Sequence, residues 1–124
     1  FKSGRASEVD YKRSFVDGIS GKSVLPEMWP LVSMLLDDSL VMSLEEVADA
    51  IRMLIEYNSV VAEGAGATPV AAALAGKAGI GKVVCVVSGG NIDADKLATI
   101  LNGQIPQARD VLPQKFEVKH EKNG

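Results

Sequence analysis

Two short polar segments carry the side chains best suited to hold a ligand. The first runs from Ser88 to Asn91, a Ser-Gly-Gly-Asn sequence that directly follows the apolar residues 83–87. A hydroxyl at the carboxyl end of a buried strand can hydrogen-bond a flat polar ligand, and Gly89 and Gly90 allow the backbone to approach it closely. The alternative is that Ser88 only begins a turn, because Gly, Ser and Asn are ordinary loop residues.

Glu63 and Gly64 form the second segment, directly after the apolar residues 60–62. If both apolar segments are parallel strands of one sheet, Glu63 lies at the same sheet edge as Ser88. A carboxylate there could hydrogen-bond a cofactor or tune the proton affinity of a neighbouring group. Alternatively, Glu63 only stands at the start of the next helix and interacts with its dipole. The residues alone leave both interpretations open.

Other candidate reactive groups fit their patterns less well. Residues 64–66, Gly-Ala-Gly, resemble a phosphate-binding loop but lack the full glycine-rich patterns. Ser88 lacks the Gly-x-Ser-x-Gly frame of a hydrolase nucleophile. The single Cys85 lies within an apolar segment, where a small buried side chain is expected, and His120 lies in a polar stretch where solvent exposure is expected. One Cys and one His do not make a metal site, so no metal is expected.

Length and composition indicate one small globular domain. The chain has 124 residues, of which 47% are hydrophobic and 23% charged. Its net charge of −3 gives no electrostatic reason to expect nucleic acid as a partner. No apolar span reaches the roughly 18 residues of a membrane helix, so no membrane partner and a cytoplasmic location are expected. The chain begins at Phe1 rather than Met, which suggests a processed, cut or partial polypeptide.

Hydrophobic periodicity predicts helices that alternate with short strands. A capping box at Ser43 and Glu46 opens one helix, and Asp93 is the predicted N-cap of another. Pro30 predicts either a kink or a break near Trp29. The predicted helices cover residues 23–36, about 44–58, roughly 68–76 and 94–101. The predicted strands cover residues 39–42, 60–62 and 83–87, with weaker candidates at 7–11 and 116–119.

This alternation predicts an α/β fold with a partial, doubly wound parallel sheet in the order helix, strand, helix, strand, helix, strand, helix. The predicted organisation has three parts. Residues 1–22 form an irregular lead-in, residues 23–103 form the α/β core, and residues 104–124 form an extension that is either an edge strand or disordered.

The motifs also resemble those of a known family when they are taken together. Residues 61–67, Val-Ala-Glu-Gly-Ala-Gly-Ala, precede an alanine-rich helix and then residues 86–93, Val-Val-Ser-Gly-Gly-Asn-Ile-Asp. Upstream, residues 15–19, Phe-Val-Asp-Gly-Ile, resemble an Ala-Asp-Gly stretch of the same family. This set resembles the C-terminal part of threonine/serine dehydratases, which are pyridoxal-phosphate enzymes of the fold type II class that includes tryptophan synthase β and serine racemase. The resemblance spans about Phe15 to Leu101.

The resemblance implies that the chain is the C-terminal part of the large, cofactor-binding domain of such an enzyme. In relatives the serine of the Ser-Gly-Gly-Asn motif hydrogen-bonds the pyridine nitrogen of pyridoxal 5′-phosphate, which gives that role to Ser88. The family's glutamate lies near the cofactor ring, which gives that place to Glu63. The residues expected to shape the turn around the ring edge are Gly89, Gly90 and Asn91.

The sequence departs from the family pattern in two ways. Relatives often carry Glu-Pro where this chain has Glu63-Gly64, so this part of the cofactor site is expected to be looser. The family's Schiff-base lysine lies in a Ser-Phe-Lys-x-Arg-Gly-Ala motif, which residues 1–6 match only superficially and with the wrong spacing. No catalytic residue is therefore assigned in this chain, and the family's phosphate loop also belongs to sequence outside it.

The implied parent enzyme is a lyase that converts L-threonine or L-serine to a 2-oxo acid and ammonia. The chain alone is expected to be inactive and to need either the N-terminal part of the enzyme or a second copy of itself as a partner in a homodimer. The alternative is a truncated, non-enzymatic module that keeps the half-fold and self-associates to cover its exposed sheet. An unrelated α/β binding domain is a more distant alternative.

Overall fold

The computed structural model describes residues 3–107, which form helices joined by extended segments. Helix α2 is the central element of this part of the chain, because it packs against both α3 and α4. The described elements are a short 3₁₀ turn at Pro26–Met28 followed by helices α1 (Trp29–Leu35), α2 (Leu44–Asn58), α3 (Gly64–Leu74) and α4 (Ala94–Leu101).

The hydrophobic core is built on one face of α2. Val47, Ile51 and Leu54 recur at three- and four-residue spacing, and Ile51 is fully buried. Facing them are small alanines from α3 and the fully buried Ile100 from α4. Because its residues are small, α3 approaches α2 closely, and much of the surface of α3 is therefore covered. The remaining core residues are Phe15, Val16, Ala48, Ala50, Ala62, Ala67 and Ala71.

The bounds of α2 follow from the capping residues. Ser43 Oγ accepts a hydrogen bond from the Glu46 N–H at 3.1 Å, and the Ser43 N–H donates to Glu46 Oε2 at 2.7 Å. These two bonds form the predicted capping box. The helix ends at Asn58 because Ser59 adopts the left-handed conformation, with φ of 55°. The predicted start and end of this helix are confirmed.

The first helical segment is broken near Trp29, as predicted. Pro26 begins the 3₁₀ turn and Pro30 occupies the first turn of α1, where a missing N–H costs no intrahelical bond. The break therefore lets both prolines stand at helix starts. The predicted apolar face of this first helical segment is not covered within residues 3–107, since Leu25 and Leu35 are each 65% exposed.

Helix α4 has its predicted bounds, whereas helix α3 begins earlier than predicted. Helix α4 covers the predicted residues and has Asp93 as its N-cap, although no cap hydrogen bond from that side chain is formed. Helix α3 begins at Gly64 rather than near residue 68, with Glu63 as its N-cap. The two glycines in its first turn are poor helix formers, so propensity alone placed the start too late.

Residues 3–107 contain no β-strand, so the predicted strands at 7–11, 39–42, 60–62 and 83–87 are not formed there. The candidate strand at 116–119 lies outside the described residues. A buried parallel strand needs neighbours along its length and apolar cover on both faces. Here a single backbone hydrogen bond, from the Glu63 N–H to the Gly89 carbonyl oxygen, joins the two main apolar segments. Val84 is consequently 89% exposed.

The described part of the chain has two further properties that bear on function. None of its helices is both long and apolar enough to cross a lipid bilayer. Phe15 and Val16, which belong to the predicted lead-in 1–22, are buried in the core, with 2% and 9% exposure.

Candidate functional site

Three loops meet beside the N-terminus of α3. They are residues 15–19, the segment that ends at Glu63, and the Ser88–Asn91 loop. The Glu63 N–H donates a 3.0 Å hydrogen bond to the Gly89 carbonyl oxygen, which fixes the second loop against the third. The predicted neighbourhood of Glu63 and Ser88 is therefore present, although the strands expected to produce it are not formed.

The Glu63 carboxylate lies between two glycines. A Cβ atom on Gly89 would stand 2.5 Å from Glu63 Oε1, and one on Gly18 would stand 3.4 Å from the same oxygen. Glu63 is partly buried, and its carboxylate has no hydrogen-bond partner among residues 3–107. A partly buried carboxylate without a partner has unused capacity to accept hydrogen bonds.

The glycines of the Ser88–Asn91 loop serve a purpose that the sequence analysis did not foresee. We expected them to admit a ligand, but the groups that approach them closely belong to the chain itself. A Cβ on Gly90 would lie 2.5 Å from the Val61 carbonyl oxygen, and one on Gly66 would lie 2.6 Å from the Gly89 carbonyl oxygen. This side of the site is therefore a wall of main chain, with the first turn of α3 packed directly against Gly89.

The same packing bears on the phosphate-loop interpretation of residues 64–66. Gly64 and Gly66 are buried, and a Cβ on Gly64 would lie 2.9 Å from Val16 Cγ2 and 3.0 Å from the Phe15 carbonyl oxygen. The protein's own chain therefore covers the first turn of α3 on both of these sides. This arrangement disfavours a phosphate cradle at this turn.

Ser88 and Asn91 lie at the surface beside this wall. Both residues are exposed, and within residues 3–107 neither side chain makes a hydrogen bond. Their polar groups are available to a ligand, whereas Gly89 and Gly90 contribute backbone and Gly64 is covered by Phe15 and Val16. A free hydroxyl and a free amide therefore lie on the loop whose Gly89 contacts the Glu63 carboxylate.

Other reactive groups contribute little to this edge. Cys85 is partly buried, and its Sγ lies 3.4 Å from the Pro69 carbonyl oxygen. Among residues 3–107, no cluster of three or more His, Cys, Asp or Glu side chains could hold a metal ion. His120 lies outside the described residues.

One charged cluster at the site was missed by the sequence analysis. Lys96 of α4 is only 9% exposed, and its Nζ lies 2.6 Å from Asp93 Oδ2 and 3.9 Å from Asp17 Oδ2. The spacing of Asp93 and Lys96 on a helix could have indicated the first pair. Asp17 is distant in sequence, and no local pattern predicts that it reaches Lys96.

Comparison with known proteins gives matches over most of the chain. Residues 1–89 match the family described as "Pyridoxal-phosphate dependent enzyme". An L-threonine ammonia-lyase of Thermotoga maritima is 41% identical over 119 residues, which is 91% of this chain and 29% of that protein. An L-threonine ammonia-lyase of Geobacter sulfurreducens is 34% identical over 117 residues, which is 93% of this chain and 29% of that protein.

A catabolic L-threonine dehydratase of Escherichia coli is 40% identical over 76 residues, which is 58% of this chain and 23% of that protein. The chain thus spans less than a third of the length of each of these relatives. The family match covers the lead-in, helices α1 to α3 and the segment up to Gly89. It confirms the resemblance drawn from the sequence motifs and supports the fold type II class, whose cofactor is pyridoxal phosphate. The chain belongs to the family of pyridoxal-phosphate dependent enzymes.

Proposed function

We propose that the chain forms one wall of the cofactor site of a lyase that acts on L-threonine or L-serine. The reaction releases ammonia and leaves a 2-oxo acid. The observation that carries this proposal is the packing of the unpaired Glu63 carboxylate against Gly89, the residue that follows the exposed Ser88, in a chain of the pyridoxal-phosphate family. The names of the ammonia-lyase relatives supply the substrate class.

The described residues fit the flat, polar ring of pyridoxal 5′-phosphate. The Ser88 hydroxyl, the Asn91 amide and the Glu63 carboxylate would supply hydrogen bonds to such a ring, while the space beside Gly89 and Gly90 is taken by Glu63 and by the Val61 carbonyl oxygen. The hydroxyl of Ser88 would donate a hydrogen bond to the ring nitrogen. When bound, the cofactor withdraws electrons from the amino acid attached to it.

Ser88 and Glu63 would affect the cofactor in different ways. A neutral hydroxyl holds a pyridine nitrogen in place without keeping it protonated, whereas a carboxylate partner would stabilise the protonated ring. Ser88 would thereby moderate the electron withdrawal of the ring, which suits elimination of a β-hydroxyl group. Glu63, held by its N–H bond to Gly89, would lie beside the ring, and Asn91 would border the ring edge.

The apolar segments 60–62 and 83–87 would become strands once the rest of the enzyme supplies their neighbours. Val84 and Val86 are 89% and 69% exposed, which is unusual for the middle of an aliphatic run. We propose that these segments belong to a parallel sheet of the doubly wound type. In this arrangement residues 23–103 form the core together with Phe15 and Val16, and the rest of residues 1–22 is a lead-in.

The chain alone would not catalyse the reaction. Covalent chemistry on the cofactor needs a lysine placed at its reactive carbon. Among the described residues beside Glu63 and Ser88, no lysine is assigned that role. We propose that activity requires the remainder of the enzyme, and that the complete protein is a homodimer.

A chimaera tests this function. The matching segment of the Thermotoga maritima ammonia-lyase is replaced by this chain, and ammonia release from L-threonine and L-serine is measured with pyridoxal phosphate present. We expect the chimaera to be active and the isolated chain to be inactive. A chimaera that folds and shows the cofactor's absorbance but turns over neither amino acid would overturn the proposal.

A second candidate function rests on the exposed apolar surface. Val41, Ile80 and Val84 are 82%, 105% and 89% exposed, and side chains of this kind favour self-association. A non-enzymatic, self-associating module would show one homogeneous dimer by sedimentation and no binding of pyridoxal phosphate in either the chain or the chimaera. Binding by the chimaera would argue against this alternative.

A further inference from the structure

Lys96 is unusual among the charged residues within the described range 3–107 because it is buried. Its side chain is 10% exposed, whereas the side chains of its two acidic partners, Asp17 and Asp93, are 55% and 63% exposed. An ammonium group is rarely buried unless it is paired, because leaving water is costly. The burial of Lys96 therefore depends on these two carboxylates.

The two partners of Lys96 come from the two loops that enclose Glu63. Asp17 directly precedes Gly18, and Asp93 follows Asn91 at the end of the Ser88–Asn91 loop. The pair with Asp93 is short, at 2.6 Å between Nζ and Oδ2, and the pair with Asp17 is longer, at 3.9 Å. Lys96 thus forms an electrostatic bridge between loops that are far apart in sequence.

Lys96 itself lies on a well-anchored helix. Ile100, one turn further along α4, is fully buried in the core. Its carbonyl oxygen accepts a 2.9 Å hydrogen bond from Arg52 Nη1 of α2. Lys96 therefore extends from a helix that is anchored to the core, and there its ammonium group pairs with Asp17 and Asp93.

We propose that Lys96 is a positioning residue for the candidate site. By holding Asp17 and Asp93 together, it keeps Gly18 and Gly89 on either side of the Glu63 carboxylate. Lys96 does not contact the reacting atoms in this role. Its consequence for the cofactor rests on the proposed function, but the positioning of Glu63 is a property of this chain and is measured without any ligand.

The test compares amide hydrogen exchange in three full-length variants of the chain. Lys96→Met keeps the length of the side chain and removes its charge, Lys96→Arg restores the charge, and Lys77→Met removes a different ion-paired lysine at the far end of α3. The reporter is the Glu63 amide, which donates to Gly89. The Leu54 amide of α2 reports global unfolding, so the ratio of the two exchange rates isolates the loop.

We expect Lys96→Met to raise this ratio by about tenfold, because local opening of the loop no longer requires the bridge to break. Lys96→Arg should return the ratio to within about twofold of the wild type, and Lys77→Met should leave it unchanged. An unchanged ratio in Lys96→Met, or an equal rise in Lys96→Arg, would overturn the inference.

Asp17→Asn provides an independent variant if Lys96→Met does not fold. It leaves the ion pair between Lys96 and Asp93 intact and weakens only the pair between Lys96 and Asp17, which crosses between the loops. We expect it to raise the ratio by about threefold, and no rise would contradict the bridge. Because these measurements contain no cofactor, an inactive chimaera together with the expected ratios would overturn the proposed function and leave the role of Lys96 standing.

A ligand-binding experiment then connects the two proposals. Pyridoxine 5′-phosphate, which has the ring and phosphate but no aldehyde, is titrated into the chimaera while the Gly89 and Ser88 amide signals are followed. We expect Lys96→Met to weaken this binding by about tenfold and Lys96→Arg to restore it. Binding that is unaffected in Lys96→Met would show that the bridge does not position the cofactor wall.

Discussion

The packed helices and the apolar segment 83–87 are both rich in aliphatic residues, but only the helices bury them. Ile51 of α2 is fully buried by α3 and α4, whereas Val84 is 89% exposed. A helix satisfies its backbone hydrogen bonds internally and needs cover on one face, while a strand needs partners for both its backbone and its faces. The comparison shows that helices α2, α3 and α4 bury apolar side chains against one another, whereas Val84 and Val86 stay exposed within the part of the chain that the structure describes.

The largest effect should come from cutting into the helical core. Ile51→Ala is expected to lower the free energy of unfolding by about 2–5 kcal/mol, because it leaves a cavity at a fully buried position. Urea denaturation followed by circular dichroism measures the change. Val84→Ala is the matched control and should change stability by less than about 0.5 kcal/mol. Equal losses in both variants would mean that residues 83–87 are packed in solution.

A second prediction concerns the junction between the two regions. Gly90→Ala places a methyl group 2.5 Å from the Val61 carbonyl oxygen, which belongs to a backbone that cannot rotate away. We expect a loss of about 1–3 kcal/mol in unfolding free energy, measured in the same way. The control is Gly21→Ala, where the nearest atom would be 3.9 Å away and little change is expected.

The capping box supplies a smaller effect. Ser43→Ala removes the oxygen that accepts from the Glu46 N–H and should cost about 1 kcal/mol of stability. Ser33→Ala, at an exposed position within α1, serves as the control for loss of a hydroxyl. If both substitutions lower the free energy of unfolding equally, the hydrogen bond to Ser43 Oγ makes no specific contribution to the stability of α2.

The smallest effect is a pH dependence at the same cap. The Ser43 N–H, and then Lys77, stabilise the charged form of Glu46 and hold its pKa below the usual 4.5. A carboxyl whose pKa is lowered by folding contributes stability above its ordinary pKa and loses that contribution as the pH falls through the lowered value. The stability difference between wild type and Glu46→Gln should therefore shrink as the pH falls below about 4.5. A constant difference down to pH 3 would contradict this account of the cap.

Local signals predicted the helical half of the molecule well. The capping box at Ser43, the N-cap at Asp93 and the break near Trp29 each depend on a few neighbouring residues, so the sequence contains the whole cause. The start of α3 was placed too late because Gly64 and Gly66 are selected by packing against Phe15, Val16 and Gly89 rather than by helix propensity.

The candidate site was predictable in its location and unpredictable in its details. The motifs indicated that Glu63 and the Ser88–Asn91 loop lie together, and the resemblance led to the correct family. The bridge from Lys96 to Asp17 joins residues on separate elements, so no periodicity could reveal it. The strand predictions were wrong for the described residues because an aliphatic run indicates only that burial is favourable. It does not identify the neighbouring segment that would bury it.

The main-chain wall at Gly66, Gly89 and Gly90 limits how this site can change during evolution or engineering. A pocket lined by side chains can be reshaped one substitution at a time. Here Gly66 and Gly90 each lie against a backbone oxygen and Gly89 lies against the Glu63 carboxylate, so a larger residue would displace the Ser88–Asn91 loop, the end of the Val61 segment or the Glu63 side chain. At Gly66 and Gly90 the wall can therefore move only together with the backbone behind it, whereas the exposed Ser88 and Asn91 at its border can be substituted without moving that backbone.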